Sequence, residues 1–242
     1  MRPILPCLLM GLLAQPGIWA QEATAAVVKT TLSEFRRDYR STDERVRLAA
    51  VDRLLPVVHK SIADELRSVA VKDRDLAPRL LAIKGLEKQD PKLAGRHLWS
   101  AFQAGPNYDN EKARRAIMES LLVVGHCPPF KELTRGADRG SKEELKAICA
   151  LLRFHRDLES VEFLAERLDM PQPEDVDSPT NPPASYWQEK VEVWTHCIET
   201  IHLSLRHLTG RDFAESKEIR AWRKSGGKIV SIEEGNKALK GH

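Results

Sequence analysis

A helix-spaced group of residues recurs along this chain, and this recurrence constrains the fold more than any other feature. Each copy begins with a charged residue, and apolar residues follow three, four and seven positions later on the same helix face. The copies follow one another at intervals of roughly thirty residues, the length of a helical repeat. They are Arg47, Ala50, Val51 and Leu54; Arg79, Ala82, Ile83 and Leu86; Arg114, Ile117, Met118 and Leu121; and Glu144, Ala147, Ile148 and Leu151. We therefore predict an all-α fold, an α-α superhelix or solenoid.

Each repeat is predicted to hold two helices joined by a short turn, which gives about four helix pairs over residues 21–170. The recurring group lies on the first helix of each pair. Ser41 to Glu44 has the Ser-x-x-Glu form of a capping box and predicts a helix start there. Asp90-Pro91 predicts another start, with Asp as N-cap and Pro in the first turn. The predicted second helices are 60–71, 91–103, 129–137 and 158–169.

The pattern changes after residue 170. Residues 171–185 are rich in proline and predict an extended loop, which is either a linker or a binding element. Residues 186–227 are predicted to form a helical cap over the open end of the repeats. The cap begins with a long helix that ends at Thr209-Gly210, and its last helix is 217–224 with Ser216 as cap. Residues 228–242 are predicted to be a frayed tail.

Two tryptophans of the long helix, Trp187 and Trp194, share its apolar stripe. Aromatic residues at that spacing are more often core residues than a carbohydrate platform. We predict that one or both of them pack against the last repeat around Leu151, Phe154 and Leu164.

The first twenty residues have the layout of a secretory signal peptide. Arg2 supplies a short positive region, residues 8–14 form an apolar run, and Ala20 is a small residue at a cleavage point. The run is shorter than the ~20 residues that a membrane-spanning helix needs. We predict cleavage after Ala20, export to the periplasm or the extracellular space, and no membrane span in the mature chain.

Charged residues make up 30% of the sequence, carry both signs and leave a formal net charge of +3. A nucleic-acid-binding surface normally shows a clustered basic face. This balance instead predicts a solvated surface and no nucleic-acid partner.

Three cysteines follow the predicted cleavage point: Cys127, Cys149 and Cys197. An odd number in an oxidising compartment leaves at least one free thiol or an intermolecular bridge. Cys127 and Cys149 lie in neighbouring repeats, so one interpretation is a bridge between them. The other is that all three are small buried apolar residues. We predict three free thiols and no essential intramolecular disulfide.

The repeated unit resembles a HEAT repeat, of the short type found in phycobilisome-lyase-like HEAT proteins. The residues that carry this likeness are Asp43-x-x-Val46-Arg47-x-x-Ala50-x-x-x-Leu54. The later part of the chain is similar to the C-terminal segment of secreted bacterial HEAT-repeat proteins of uncharacterised function. The matching residues there are Asn181-Pro182-Pro183-x-x-Tyr186-Trp187, Leu208-Thr209-Gly210-x-x-Phe213 and Ile219-x-x-Trp222.

The resemblance implies a non-enzymatic binding scaffold. In that architecture the first helices pack outside and the second helices line a concave surface. The family's recurring acidic and basic residues often bond between neighbouring repeats. The corresponding residues here are Asp43, Asp75, Arg47, Arg79 and Arg114. We interpret these arginines as ties between repeats and not as ligand contacts.

No motif in the sequence indicates catalysis. HEAT-repeat iron-dependent hydroxylases carry His-Glu pairs, and no His is followed by Glu here. The sequence has no CxxC, HExxH, GxSxG or Gly-rich phosphate loop. His126-Cys127 and His196-Cys197 offer soft metal ligands, but adjacent helical residues point about 100° apart, so one pair seldom chelates a metal. We predict no catalytic residue, cofactor or metal site.

The leading functional prediction is the binding of a protein or peptide. The alternative is binding of carbohydrate or another envelope polymer through exposed aromatic residues. Solvent exposure separates the two: an aromatic patch on one concave surface favours a polymer, and buried tryptophans beside a charged groove favour a protein. The candidate partner-binding residues are Asn181, Pro182, Pro183, Tyr186, Trp187 and Trp99.

Overall fold

The computed structural model describes residues 23–173, 175 and 178–240, so the predicted signal peptide, residues 1–20, lies outside them. The described part of the chain is helical and contains no strand, which confirms the all-α prediction. None of these helices is both long and apolar enough to cross a membrane. The helices are α1 (Ala25–Asp38), α2 (Glu44–Asp52), α3 (Lys60–Lys72), α4 (Leu76–Leu86), α5 (Pro91–Phe102), α6 (Gly105–Tyr108), α7 (Glu111–Val124), α8 (Phe130–Leu133), α9 (Lys142–Leu152), α10 (Leu158–Ala165), α11 (Ala184–Thr209), α12 (Ser216–Lys224) and α13 (Ile232–Lys240), with a 3-10 helix at Ala137–Arg139.

The helices stack in two rows. Helices α2, α4, α7, α9 and α11 pack against one another in chain order and form the first row. In the second row α1 packs on α3 and α3 packs on α5. A hydrogen bond from Trp99 of α5 to Glu132 of α8 and an edge-to-face contact between Phe130 and Phe163 continue this row to α10. The rows meet through the pairs α1–α2, α3–α4, α5–α7 and α10–α11.

The recurring apolar positions form the core between the rows. All three such positions in each of the first three copies are at most 2% exposed. In the fourth copy Ile148 and Leu151 are buried, whereas Ala147 is only half-buried. The register predicted from the sequence is therefore the register of the packed helices.

Arg47 ties the first copy to the second. Its side chain is buried and donates to Asp73 (Nε to Oδ2, 3.1 Å) and to Asp75, both of which lie before the next first-row helix. Tyr39 donates to the same carboxylate of Asp73 (2.6 Å). Burial alone would raise the pKa of Asp73, but the hydrogen bonds from Arg47 and Tyr39 outweigh it and hold the pKa below its usual value. The interpretation of Arg47 as a tie is confirmed.

The same contact recurs in altered form at the next two copies. Buried Arg79 donates from Nη2 to the carbonyl of Pro106 in the following repeat (3.4 Å). Arg114 pairs with Glu144, which opens the fourth copy. Each of these arginines therefore links consecutive repeats.

Polar contacts also join the second-row helices at a regular interval. The pairs, each 33 residues apart and 3.0 Å long, are Asp64–His97, Arg67–Ser100 and Trp99–Glu132. One period of sequence therefore corresponds to one step along the second row.

The start of α2 differs from the prediction. Its N-cap is Asp43, whose Oδ1 accepts from the amide of Arg45 (2.8 Å), while Ser41 Oγ accepts from the amide of Asp43 (3.1 Å). The predicted capping box of Ser41 and Glu44 is wrong. A carboxylate next to the first turn accepts more strongly than a hydroxyl two residues further away.

Two of the second helices are shorter than predicted. In place of a helix over 129–137, α8 ends at Leu133 and a 3-10 helix follows. Gly136 has a left-handed φ of 78°, which a continuing α-helix cannot contain. Helix α10 ends at Ala165 and not at 169.

Helix α11 ends as predicted and starts earlier. Gly210 takes a left-handed φ of 70° and its amide donates to the carbonyl of Arg206 (2.8 Å). At the other end Pro183 is the N-cap, so the helix begins at Ala184, inside the predicted loop 171–185. The helix packs on α9 and α10, and Trp194 Nε1 donates to the carbonyl of Leu168 (3.0 Å).

Helix α12 begins at Ser216, with Glu215 as N-cap, so the prediction that Ser216 is the cap is wrong. Ser216 instead joins α12 to the end of the repeats. Its amide donates to Asp169 Oδ1 (2.7 Å) and its hydroxyl donates to Oδ2 of the same carboxylate.

The predicted frayed tail contains helix α13, so that prediction is wrong for residues 232–240. Ser231 and Glu234 form a capping box: Ser231 Oγ accepts from the amide of Glu234 (3.2 Å), and Glu234 Oε2 accepts from the amide of Ser231 (2.8 Å). Gly235 is buried against α11, where an added Cβ would overlap the carbonyl oxygen of His207. The close approach of Gly235 to the backbone of α11 and the capping box of Ser231 and Glu234 hold α13 in place.

Candidate binding cleft

An open cleft of about 610 Å³ lies where α7, α9 and α11 of the first row meet. The resemblance to HEAT repeats placed the binding surface along the second helices, whereas this cleft lies between first-row helices. Its lining residues are Tyr108, Asp109, Glu111, Arg114, Arg115, Met118, Glu119, Leu122, Ser141, Glu143, Glu144, Lys146, Ala147, Ala150, His196 and Thr200.

Four side chains give the cleft its apolar patch: Met118 and Leu122 from α7, and Ala147 and Ala150 from α9. Met118 is buried, and the other three are half-buried. Ala147 stands at the register position that Ile117 fills in the preceding repeat. Because α9 presents alanines here, the cleft stays open, and a larger side chain at either position would occupy part of it.

The basic side chain at the centre of the cleft wall, Arg114, is engaged within the protein. It pairs with Glu144, and its Nη1 donates to the carbonyl of Tyr108 (3.1 Å). Its guanidinium lies 5.0 Å from the ring centroid of Phe102 and 5.3 Å from that of Tyr108, within cation-π range. Arg114 is therefore a structural residue, although Tyr108 beside it is 58% exposed.

A second arginine, Arg115, lies among three glutamates. Its Nε donates to Glu119 Oε1 (2.9 Å). The hydrogen bond and the charge of Glu119 raise the pKa of Arg115, and the charges of Glu143 and Glu111 raise it further. One cation therefore faces three carboxylates on this wall.

The other charged side chains of the cleft have fewer contacts within the protein. Within the described chain, Asp109, Glu111 and Lys146 form no ion pair. His196 Nε2 lies 4.0 Å from Glu143 Oε1. The cleft thus combines an apolar patch with a rim of five carboxylates and three arginine or lysine side chains.

Trp99, predicted to bind a partner, is a tie within the second row. Its Nε1 donates to Glu132 Oε2 (3.0 Å), and its ring stacks on Phe102 with centroids 5.0 Å apart. The main neighbours of its helix, α5, are α3 and α7, whereas α11 packs mainly on α9 and α13. Trp99 is half-buried in these contacts, and its partner-binding role stays a prediction.

Tyr186 and Trp187 lie together at the start of α11. Their rings meet edge to face with centroids 5.2 Å apart, and Lys190 Nζ lies 5.4 Å from the Tyr186 ring. Tyr186 is 41% exposed, whereas Trp187 is half-buried and its Nε1 is buried with no described acceptor. This pair offers one exposed aromatic face.

The predicted loop residues precede that pair. Pro182 and Pro183 are exposed, and Asn181 is half-buried. The Asn181 side chain donates to the carbonyl of Asp175 (2.7 Å). The loop therefore presents two prolines to solvent beside Tyr186.

None of the cleft residues was among the predicted partner-binding residues. The available signal was Glu144, which stands where the first three copies carry arginine. No site was predicted at this copy.

The three cysteine side chains within the described residues are buried or half-buried. Cys127, Cys149 and Cys197 are free thiols, and no bridge joins Cys127 to Cys149. Burial raises the pKa of Cys127 and of Cys149 to about 12, which disfavours the reactive thiolate. Within the described residues no group of three His, Cys, Asp or Glu side chains is arranged to hold a metal ion.

No family model, curated protein or solved structure matches this chain.

Proposed function

We propose that this protein is an exported, non-enzymatic scaffold, a HEAT-like α-α superhelix, that binds a protein or peptide. The helical-repeat proposal is supported by the two rows of helices and by the recurring arginine contacts between repeats. Export is supported by the signal-peptide layout of residues 1–20. The outcome is a rigid surface displayed outside the cytoplasm.

The observation that carries the binding proposal is the cleft between α7, α9 and α11. Its volume, about 610 Å³, falls in the range of ligand pockets. An apolar centre with a charged rim is also the usual composition of a protein-binding surface. A bound side chain could cover Met118, Leu122 and the two alanines while its neighbours contact the rim.

A selection from phage-displayed random peptides tests this proposal. The immobilised full chain should enrich peptides that the Ala150→Trp variant does not retain, because the indole fills the cleft. Ala77→Trp, at an exposed alanine of α4, is the matched control and should retain them. Tyr108→Ala supplies a second variant that removes an exposed ring without touching the core. Enrichment that is equal on all four proteins, or absent from all, contradicts a binding role for the cleft.

Polymer binding through Tyr186 is the second candidate function. Its support is the exposed ring of Tyr186 next to Pro182 and Pro183. Co-sedimentation with insoluble peptidoglycan tests it: Tyr186→Ala should lose binding, while Tyr108→Ala should keep it. Because both are exposed tyrosines, the two variants separate the polymer surface from the cleft. If the parent chain does not sediment with the polymer, this second function is wrong.

A further inference from the structure

We propose that the occupant of the cleft is a protein segment that presents an arginine or lysine beside an apolar side chain. This inference rests on the proposed peptide-binding function and adds the chemistry of the partner. It follows from which charges of the cleft are already satisfied within the chain.

The positive charges of the cleft have limited capacity for an acidic partner. Arg114 is held by Glu144, a carbonyl and two aromatic rings. Arg115 is bonded to Glu119. Only Lys146 is left without an ion pair among the arginine and lysine side chains that line the cleft. An anionic segment would therefore meet one uncommitted cation.

The negative charges are in excess. Two carboxylates of the lining, Glu119 and Glu144, are paired with arginines, and Glu143 Oε1 lies 4.0 Å from His196 Nε2, which leaves Asp109 and Glu111 without an ion pair among the described residues. Glu111 and Glu143 line the cleft together with Arg115. Asp109, two residues before Glu111 in the chain, lines it as well. This side of the cleft should attract a cation.

Glu111 and Glu143 have a structural role as well, because each lies in the first turn of a helix, where a carboxylate complements the helix dipole. That role accounts for their contribution to helix stability. It does not remove the negative potential that they place over the apolar patch. A basic residue next to an apolar one satisfies both surfaces together, and a lone apolar or acidic side chain satisfies only one or neither.

The composition of the peptides selected on the full chain is the first test. Peptides that depend on the open cleft should be enriched in arginine and lysine together with apolar residues, relative to the unselected library. Their binding should weaken as salt is raised, because exposed charges are screened. Cleft-dependent peptides that are neutral or acidic would overturn the charge assignment and leave the proposed function standing. Absence of any cleft-dependent peptide would overturn both.

The second test uses matched charge variants of the full chain. Glu111→Gln with Glu143→Gln should weaken the selected peptides by about threefold to tenfold, as expected for two exposed charge contacts. The control is Glu44→Gln with Glu159→Gln, because these are first-turn glutamates of α2 and α10 outside the cleft. The control should bind like the parent. Equal affinity of both double variants, with both melting like the parent, would show that the carboxylates of the cleft do not select the ligand.

Discussion

Arg47 and Arg79 use the same nitrogen, Nη1, to donate to the two carbonyl groups that lie six and five residues before each of them. For Arg47 the acceptors are the carbonyls of Ser41 and Thr42, both at 3.1 Å. For Arg79 they are those of Asp73 (2.8 Å) and Arg74 (3.2 Å). The two arginines differ in the acceptors of their other nitrogens: Arg47 donates to carboxylates, whereas Arg79 donates to a carbonyl.

This difference predicts unequal stability losses. Arg47→Met should lower the free energy of unfolding by about 3–5 kcal/mol, because it leaves the buried carboxylate of Asp73 without its cation. Arg79→Met should cost less, because no carboxylate loses its partner. Urea unfolding measures both. Adding Asp73→Asn to the Arg47→Met variant should recover part of the loss, and equal losses for the two single variants would contradict the assignment.

The burial of the recurring apolar positions predicts a stability loss when one of them is shortened. Leu86 is fully buried at a recurring position, so Leu86→Ala should cost about 2–5 kcal/mol through lost burial and a residual cavity. Val123, which is 59% exposed on α7, supplies the control, and Val123→Ala should change stability by less than about 0.5 kcal/mol. The same urea titration reports on both. A small loss at Leu86 would mean that the recurring position is not a core position.

Acid should weaken the contact between α11 and α13. His207 is buried between the carbonyl of Arg153 (Nδ1, 3.2 Å) and Asn236 (Nε2 to Oδ1, 3.1 Å). Burial lowers the pKa of His207, the hydrogen bond to Asn236 opposes this in part, and the charges of Arg156 and Arg153 lower the pKa further. The unfolded chain therefore takes up a proton at the ordinary histidine pKa before the folded chain does.

His207 adds no pH dependence where it is neutral in both the folded and the unfolded chain. The free energy of unfolding falls as the pH drops through about 6.5. Urea midpoints at about pH 7.5 and about pH 5.5 measure this fall, in a window above the titration of ordinary carboxylates. His207→Gln should show a smaller fall than the parent. Part of the fall should remain, because burial also lowers the pKa of His97 and of His126. A midpoint that rises on acidification would contradict the prediction.

A glycine substitution tests the placement of α13. In an exposed helix Gly→Ala stabilises by about 1 kcal/mol. At Gly235 the added Cβ would overlap the carbonyl of His207, so Gly235→Ala should instead destabilise by about 1–3 kcal/mol or undock the helix. Gly105→Ala is the control, because nothing lies within 4 Å of its Cβ position. Amide hydrogen exchange of residues 232–240 measures undocking, and stabilisation at Gly235 would mean that α13 does not pack there.

Removal of residues 186–242 should produce an aggregating or molten protein. The deletion takes away most of α11 with α12 and α13, and so uncovers the faces of α9 and α10 that α11 covers. Sedimentation velocity and near-ultraviolet circular dichroism report the two expected failures. A truncated chain that stays monomeric and melts as cooperatively as the parent would make the C-terminal part a separate module.

The first-row register was predictable because it depends on spacing within single helices, where side chains three and four residues apart share a face. The role of Arg47 was predicted from the resemblance to HEAT repeats, and one of its two acidic partners, Asp75, stands at the recurring acidic position of the next copy. Helix α13 was missed although Ser231 and Glu234 carry a capping-box signal. Its burial depends on Gly235 meeting a carbonyl on α11, a tertiary contact that no local pattern contains.

The cleft was not predictable from spacing. It arises where α9 presents Ala147 and Ala150 between side chains of α7 and α11. Those side chains come from distant parts of the sequence, and their relative placement is set by helix packing. The contact of Trp99 was equally hidden in the sequence, because its acceptor Glu132 lies one period further along the chain.

The serial arrangement of ties has a mechanical consequence. The main neighbours of α1 are α2 and α3, and that of α13 is α11, so these two helices lie at opposite ends of the helix rows. Tension applied between α1 and α13 would cross the successive helix contacts that Arg47, Arg79 and Arg114 span, together with the apolar core packed between the same helices. The helical-repeat proposal therefore predicts that the protein lengthens under force in steps of about one repeat.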